Sequence, residues 1–145
     1  DGAKTFAVLA STIDGMPLIY NGQEAAMNER LEFFEKDTIR WKDYPLQNFY
    51  RKLLHLKKRN EALWNGPYGG DFVEVQTQQE DVIAYRRVKG DDEVLVILNL
   101  SSTPQQINIE VPSGTYTEIF TEKNRSLGTS SISLEKWGYR VFEKN

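Results

Sequence analysis

The hydrophobic positions of this chain follow two different periods, and the change falls near residues 66–70. Before the change, apolar residues from Leu46 to Leu54 recur at i, i+3, i+4, i+7 and i+8, which predicts an amphipathic helix over residues 46–59. After it, short apolar runs alternate with turn signals such as Lys89-Gly90-Asp91-Asp92, at the spacing of an antiparallel β-sandwich. The pattern therefore predicts a helical first part and an all-β second part.

The first part has the order of one α/β unit. Residues 5–13 are apolar on nearly every side, which predicts a helix buried between two layers. Residues 16–20 then predict a buried strand, which ends at the long polar stretch 21–44 before the second helix. One such unit cannot cover both faces of its own strand. Because the sequence also begins without an initiator Met or a signal-peptide pattern, we expect the chain to start inside a longer protein.

The second part predicts seven strands, over residues 72–76, 82–88, 93–100, 105–111, 115–120, 131–134 and 138–142. The run from Val94 to Leu98 is apolar on both faces, which predicts the central strand of the sheet. Ile107, Ile109 and Val111 alternate with polar residues, as expected of a strand with one face in water.

Composition narrows the classes of partner. The chain has 145 residues, of which 39% are hydrophobic and 12% aromatic, enough for a packed core. The net charge is −3 and no Lys/Arg stripe occurs, so we expect no nucleic-acid partner. No apolar run approaches the roughly 18 residues of a membrane span. The absence of Cys excludes disulfides and thiolate ligands but leaves the redox compartment open, and with a single His we expect no metal site. No Gly-rich phosphate loop or nucleophile elbow occurs, so we expect no cofactor.

Five segments carry a family resemblance in a fixed order: GMPLIYNGQE (15–24), FFEKDTIRW (33–41), FYRKLLHLKKRNEAL (49–63), VIAYRR (82–87) and VLVILNL (94–100). Together they resemble the α-amylase family, glycoside hydrolase family 13. The first is similar to the motif at the eighth barrel strand, and the next two to the segment up to and beyond the last barrel helix. The last two resemble the first strands of the family's C-terminal β-sandwich.

The resemblance implies a fold of two pieces, α+β as a whole. Residues 1–66 would be the C-terminal segment of a catalytic (β/α)8 barrel, with a helix, the eighth strand and the eighth helix. Residues 67–145 would be an all-β antiparallel sandwich. Because the eighth strand closes the barrel, we expect residues 5–20 to expose apolar surface when the rest is absent, and the isolated chain to self-associate by strand or helix exchange.

The resemblance also implies the chemistry of the parent enzyme, which would act on α-glucans or maltooligosaccharides by a retaining mechanism. Its Asp nucleophile, Glu acid/base and second Asp would sit at the ends of the fourth, fifth and seventh strands. None can be placed here, since the family's Asn-His-Asp motif is absent and His55 lies between Leu54 and Leu56. We therefore expect no catalytic residue in this chain and no activity from it alone. Linkage preference, and hydrolysis against glucosyl transfer, stay open.

The candidates for substrate binding are the polar residues after the predicted strand: Tyr20, Asn21, Gln23 and Glu24. We expect them to support the substrate-contacting residues more than to contact the sugar themselves. Glycoside hydrolysis needs two carboxyl groups, and Glu24 is the single one just past this strand. The alternative for Glu24 is a buried acid that bonds loop backbone groups.

Two alternative functions remain for the β-sandwich. It could bind carbohydrate through an aromatic platform, or it could only cap and stabilise the barrel. Aromatic residues that could stack on sugar, but that equally suit a core or an interface, are Trp41, Trp64, Tyr68 and Trp137. The same ambiguity holds for the strand residues Tyr85, Tyr116, Phe120 and Tyr139. His55 is expected to be solvated among the basic residues of its helix.

Overall fold

The computed structural model describes residues 2–32, 34–41 and 44–145, so Phe33 of the resembling segment 33–41 lies outside the described residues. Within them the chain forms helices α1 (Ala3–Thr12) and α2 (Gln47–Arg59), then single 3₁₀ turns at Glu61–Leu63 and Gly66–Tyr68. The strands follow in chain order: β1 (Asp71–Val75), β2 (Val82–Lys89), β3 (Asp92–Asn99), β4 (Gln105–Glu118), β5 (Lys123–Leu134) and β6 (Tyr139–Lys144).

The six strands form one antiparallel sheet in the order β1-β2-β3-β6-β4-β5. The long β4–β5 hairpin has a register shift between Glu110 and Gly114, and such irregularities let a strand bend. Its first half packs against the face of β1–β3, so that Ile107 and Ile109 share a core with Leu95 and Ile97. Folded on itself in this way, the sheet encloses a sandwich core. The all-β antiparallel second part is therefore confirmed.

The two helices cover the outer face of the same sheet. Val8 of α1 and Leu53 and Leu56 of α2 belong to one buried cluster with Val96 and Leu98 of β3. Strand β3 thus sends alternate side chains into the sandwich core and into the helix-covered core, and it lies inside the sheet. This confirms the central strand predicted from the apolar run. The buried stripe of α2 differs in one position, because Leu56 is buried while Leu54 is exposed.

The predicted strand over residues 16–20 does not form. The segment is extended, but it pairs with none of the described strands, and Met16 and Leu18 are 85% and 82% exposed. A strand needs a neighbour to receive its backbone hydrogen bonds, and the described part of the chain places none beside it. Helix α1 is likewise covered on one face only: Thr5 and Val8 are buried, whereas Phe6 is exposed. The partial barrel is therefore not established by this fold, and the division at residues 66 and 67 stays a prediction.

The hairpin also differs from the prediction. Residues 105–111 and 115–120, predicted as two strands, are joined in the single strand β4. Strand β5 begins at Lys123, in the stretch between the predicted strands 115–120 and 131–134. The reason is pairing: Thr115 to Glu118 lie opposite Lys123 to Ser126, so the partner strand holds a polar stretch extended that local sequence alone would not.

Candidate functional site

The four candidate residues lie in a compact loop directly after the extended segment. Backbone hydrogen bonds from Gln23 to Tyr20 (3.0 Å) and from Met27 to Gly22 (3.0 Å) close it into successive turns. Gly22 adopts φ +91°, a conformation that favours glycine and lets the chain reverse directly after the segment. The loop is therefore shaped by its own backbone, and Tyr20 and Asn21 are left exposed at its start.

Gln23 has a structural role in this loop. Its side-chain oxygen accepts a hydrogen bond from the backbone N–H of Tyr20 at 2.6 Å, which ties the end of the extended segment to the turn. Sequence reasoning assigned loop-backbone bonding to Glu24 as the alternative to a binding role. The structure gives that function to Gln23.

Glu24 joins the loop to α2 through its backbone, whose carbonyl accepts from the N–H of Leu46 at 3.1 Å. Its carboxylate is different: Oε2 is buried and makes no hydrogen bond within the described part of the chain. Burial and, to a smaller extent, the negative charge of Glu24 raise the pKa of the neighbouring Tyr50. The loop thus holds, against the start of α2, an acid whose carboxylate has no hydrogen-bond partner among the described residues.

A cleft of about 300 Å³ opens beside this acid, between the loop and α2. Its lining includes Ile19, Glu24, Tyr50, Arg51 and His55. The structure therefore brings His55 to the same cleft as Glu24, which sequence reasoning did not anticipate. The available signal was the i, i+4 spacing of Arg51 and His55 on the face opposite the apolar stripe.

The aromatic candidates are scattered. Trp41 stacks on Tyr44 with ring centroids 5.8 Å apart, whereas Lys89 lies over the ring of Trp64. Trp137 anchors the start of α1, since its carbonyl accepts from the hydroxyl of Thr5. Tyr68 is exposed. These four positions do not assemble into one platform.

The aromatic residues predicted to lie on strands are buried or packed partly buried against a core. Tyr85 and Tyr116 are fully buried, and Phe120 and Tyr139 pack edge to face at 5.1 Å. Among the described residues, no group of three or more His, Cys, Asp or Glu side chains could hold a metal ion. In the same part of the chain, neither helix has the length and apolar character required to traverse a bilayer.

Fold and site together define a class: a helix-capped β-sandwich domain, preceded by an extended segment whose apolar face is open. The second half of the chain, residues 72–141, matches the family described as Maltogenic Amylase, C-terminal domain. Among related sequences, Alpha-amylase 2 of Dictyoglomus thermophilum is 26% identical over 141 residues, which cover 88% of this chain and 23% of that protein.

Solved structures show the same fold. The maltogenic alpha-amylase AmyB from Thermotoga neapolitana superposes with a TM-score of 0.79 at 19% identity, over 99% of this chain and 36% of the other. The alpha-amylase from Geobacillus thermoleovorans, solved with acarbose, gives 0.74 at 18% identity, over 98% and 32%. The chain carries a C-terminal β domain of the α-amylase family, glycoside hydrolase family 13.

Proposed function

We propose that this chain is the C-terminal part of an α-amylase-like glycoside hydrolase that acts on α-glucans or maltooligosaccharides with retention of configuration. The chain spans 23% of the length of its Dictyoglomus relative, which leaves ample sequence for a catalytic domain. In this proposal residues 1–66 are the last part of the catalytic barrel and residues 67–145 the β-sandwich that caps and stabilises it. The catalytic carboxylates lie in the sequence before residue 1.

The open face of residues 16–20 is the observation that carries the proposal. Met16, Leu18 and Tyr20 are exposed, while Pro17 and Ile19 between them are partly covered. That alternation is typical of a strand with one face packed on helices, whose other, apolar face is not covered by the described residues. Parallel neighbours on both edges, as in a closed barrel, would satisfy its backbone and cover its apolar side chains.

The loop after this segment then falls at the active-site end of the barrel, where the loops that follow strands carry function. Gln23 would set the exit of the strand, as its bond to Tyr20 indicates. Tyr20 and Asn21 would be nearest to substrate, and Glu24 would support them from the cleft beside α2. A single carboxylate at this position cannot serve as both nucleophile and acid.

The isolated chain is expected to show no turnover of soluble starch or of a chromogenic maltooligosaccharide, because it lacks the paired carboxylates. The parent protein, assayed at the same molar concentration as the positive control, is expected to release product in the α-configuration first, as followed by NMR. Turnover by the isolated chain that is proportional to its concentration and lost in Glu24→Gln would contradict the proposal.

The isolated chain is also expected to self-associate at micromolar concentration, because the face of Met16 and Leu18 remains open. Sedimentation velocity measures this directly. Leu18→Lys should shift the distribution toward monomer, whereas Ile83→Lys, on an exposed position of the sheet, should not. A monomer for the unmodified chain would refute the expectation.

A further inference from the structure

A second, larger cleft lies at the free edge of the sheet, where β1 pairs with β2. Its volume is about 520 Å³, within the range of small-molecule sites in proteins. None of the residues of the Tyr20 to Glu24 loop lines it. The cleft is therefore separate from the candidate site at the end of the extended segment.

An aromatic ring forms one wall of this cleft. Phe72 is 57% exposed, and its ring stacks on the fully buried Tyr85 with centroids 4.7 Å apart and planes 26° apart. Strand pairing sets Glu74 opposite Tyr85, so Phe72, Glu74 and Tyr85 lie on one face of the sheet. Because Tyr85 fixes the ring from beneath, the outer face of Phe72 is held toward solvent. A fixed aromatic face suits the C–H face of a pyranose ring, with little ordering cost on binding.

Polar groups line the same cleft along β1 and the β1–β2 turn. The amide and carboxylate groups of five side chains make no hydrogen bond or ion pair within the described residues: Glu74, Gln76, Gln78, Gln79 and Glu80. The turn itself is braced, because the hydroxyl of Thr77 lies 3.0 Å from the carbonyl of Val82 and 3.2 Å from that of Gln79. Amides both donate and accept, and carboxylates accept, which suits neighbouring hydroxyl groups of a sugar.

The charge of the cleft disfavours anionic ligands. Two carboxylates and no Lys or Arg line it, so phosphates and nucleic acids are repelled. Ile83, 39% exposed, adds apolar area beside Phe72. Aromatic ring, uncharged amides and hydrogen-bond acceptors together match a neutral, polyhydroxylated ligand.

We infer that the β1–β2 cleft binds a neutral oligosaccharide, with Phe72 as the stacking platform and Glu74 and the turn glutamines as hydrogen-bonding partners. The aromatic ring and the amides of the cleft fit a sugar. The choice of an α-glucan as the sugar rests on the proposed function.

The test is affinity electrophoresis of the chain in gels that contain amylopectin or, separately, hydroxyethyl cellulose, followed by calorimetric titration with maltoheptaose. Phe72→Ala is expected to weaken binding at least about tenfold, as the loss of a stacking anchor does. Tyr68→Ala removes an exposed aromatic outside the cleft and is expected to leave binding unchanged. Circular dichroism melting of both variants verifies that the fold persists.

Each outcome either supports or overturns the proposed sugar site. Retardation of the unmodified chain that Phe72→Ala abolishes and Tyr68→Ala preserves supports the site. Migration without retardation in both gels, or equal losses in the two variants, overturns it without affecting the proposed function. Retardation by cellulose alone supports a sugar site but contradicts an α-glucan ligand. Hydroxyl-radical footprinting of the parent protein gives a further test. Protection of Phe72 in the absence of sugar would overturn the proposed site, because another part of the protein would then cover the ring.

Discussion

Replacing Arg87 by methionine is expected to lower the free energy of unfolding of this chain by about 3 kcal/mol, because it removes the guanidinium donor from three backbone carbonyls that are buried or partly buried. Arg87 is 2% exposed. Its guanidinium donates to the carbonyl of Thr12 at the end of α1 (3.2 Å), to Gly70 before β1 (3.0 Å) and to Trp64 (3.4 Å). One side chain thus joins the helical part to the sheet.

The surroundings of Arg87 strengthen this expectation. The hydroxyls of Thr12 and Tyr85 lie 2.7 Å apart beside it, and burial raises the pKa of Tyr85 to about 12. The neighbouring phenol therefore stays neutral and supplies no counter-charge at pH 7. The three backbone carbonyls are therefore the groups that stabilise the buried guanidinium. Removing the guanidinium removes all three hydrogen bonds at once.

Urea denaturation measures the effect. Arg87→Lys should recover only part of the stability, because one ammonium group cannot reach three carbonyls arranged around a planar guanidinium. Arg125→Met serves as the matched control, since Arg125 is exposed and makes no side-chain hydrogen bond among the described residues. Equal midpoints for Arg87→Met and Arg125→Met would show that this connection contributes nothing.

Glu93→Gln is expected to lower the free energy of unfolding by about 2 kcal/mol. The buried carboxylate accepts from three donors, whereas the amide keeps one acceptor oxygen and turns an NH2 group toward the remaining donors. Glu93 is 4% exposed, and its carboxylate accepts from Arg86 (3.2 Å), Tyr116 (2.9 Å) and Lys144 (3.3 Å). These partners come from β2, β4 and β6, so the acid joins both halves of the sandwich. Burial, and next the hydrogen bond to Glu93, raise the pKa of Tyr116.

Thermal and urea unfolding of Glu93→Gln should be compared with Glu110→Gln, an exposed acid on β4 that forms no described ion pair. A double-mutant cycle with Tyr116→Phe isolates the energy of the Glu93–Tyr116 bond from that of the two cations. Coupling near zero, together with Glu93→Gln as stable as Glu110→Gln, would contradict the assigned role.

The sequence indicated a loop at residues 20–24, whereas a binding role for its residues stays a prediction. The polar end of residues 16–20 marked Tyr20, Asn21, Gln23 and Glu24, because a polar cluster after an apolar run is a local signal. Whether Gln23 or Glu24 bonds the backbone depends on side-chain direction in a folded turn. Likewise Phe72 is one aromatic among many in the sequence, and only the pairing of β1 with β2 shows that its outer face is open.

By itself, the sequence determined the elements whose signal is local. The predicted helix 46–59 became Gln47–Arg59, and the predicted strands 72–76, 82–88 and 93–100 agree with β1, β2 and β3 within two residues. Ordered motifs also identified the family. Only the tertiary structure decided which strands pair, that polar residues after Lys123 extend into β5, and that residues 16–20 remain unpaired. The physical reason is that a strand is stable only when it pairs with a neighbour. The period of apolar side chains can be read from adjacent residues, whereas the backbone hydrogen bonds of a strand require a partner that is distant in sequence.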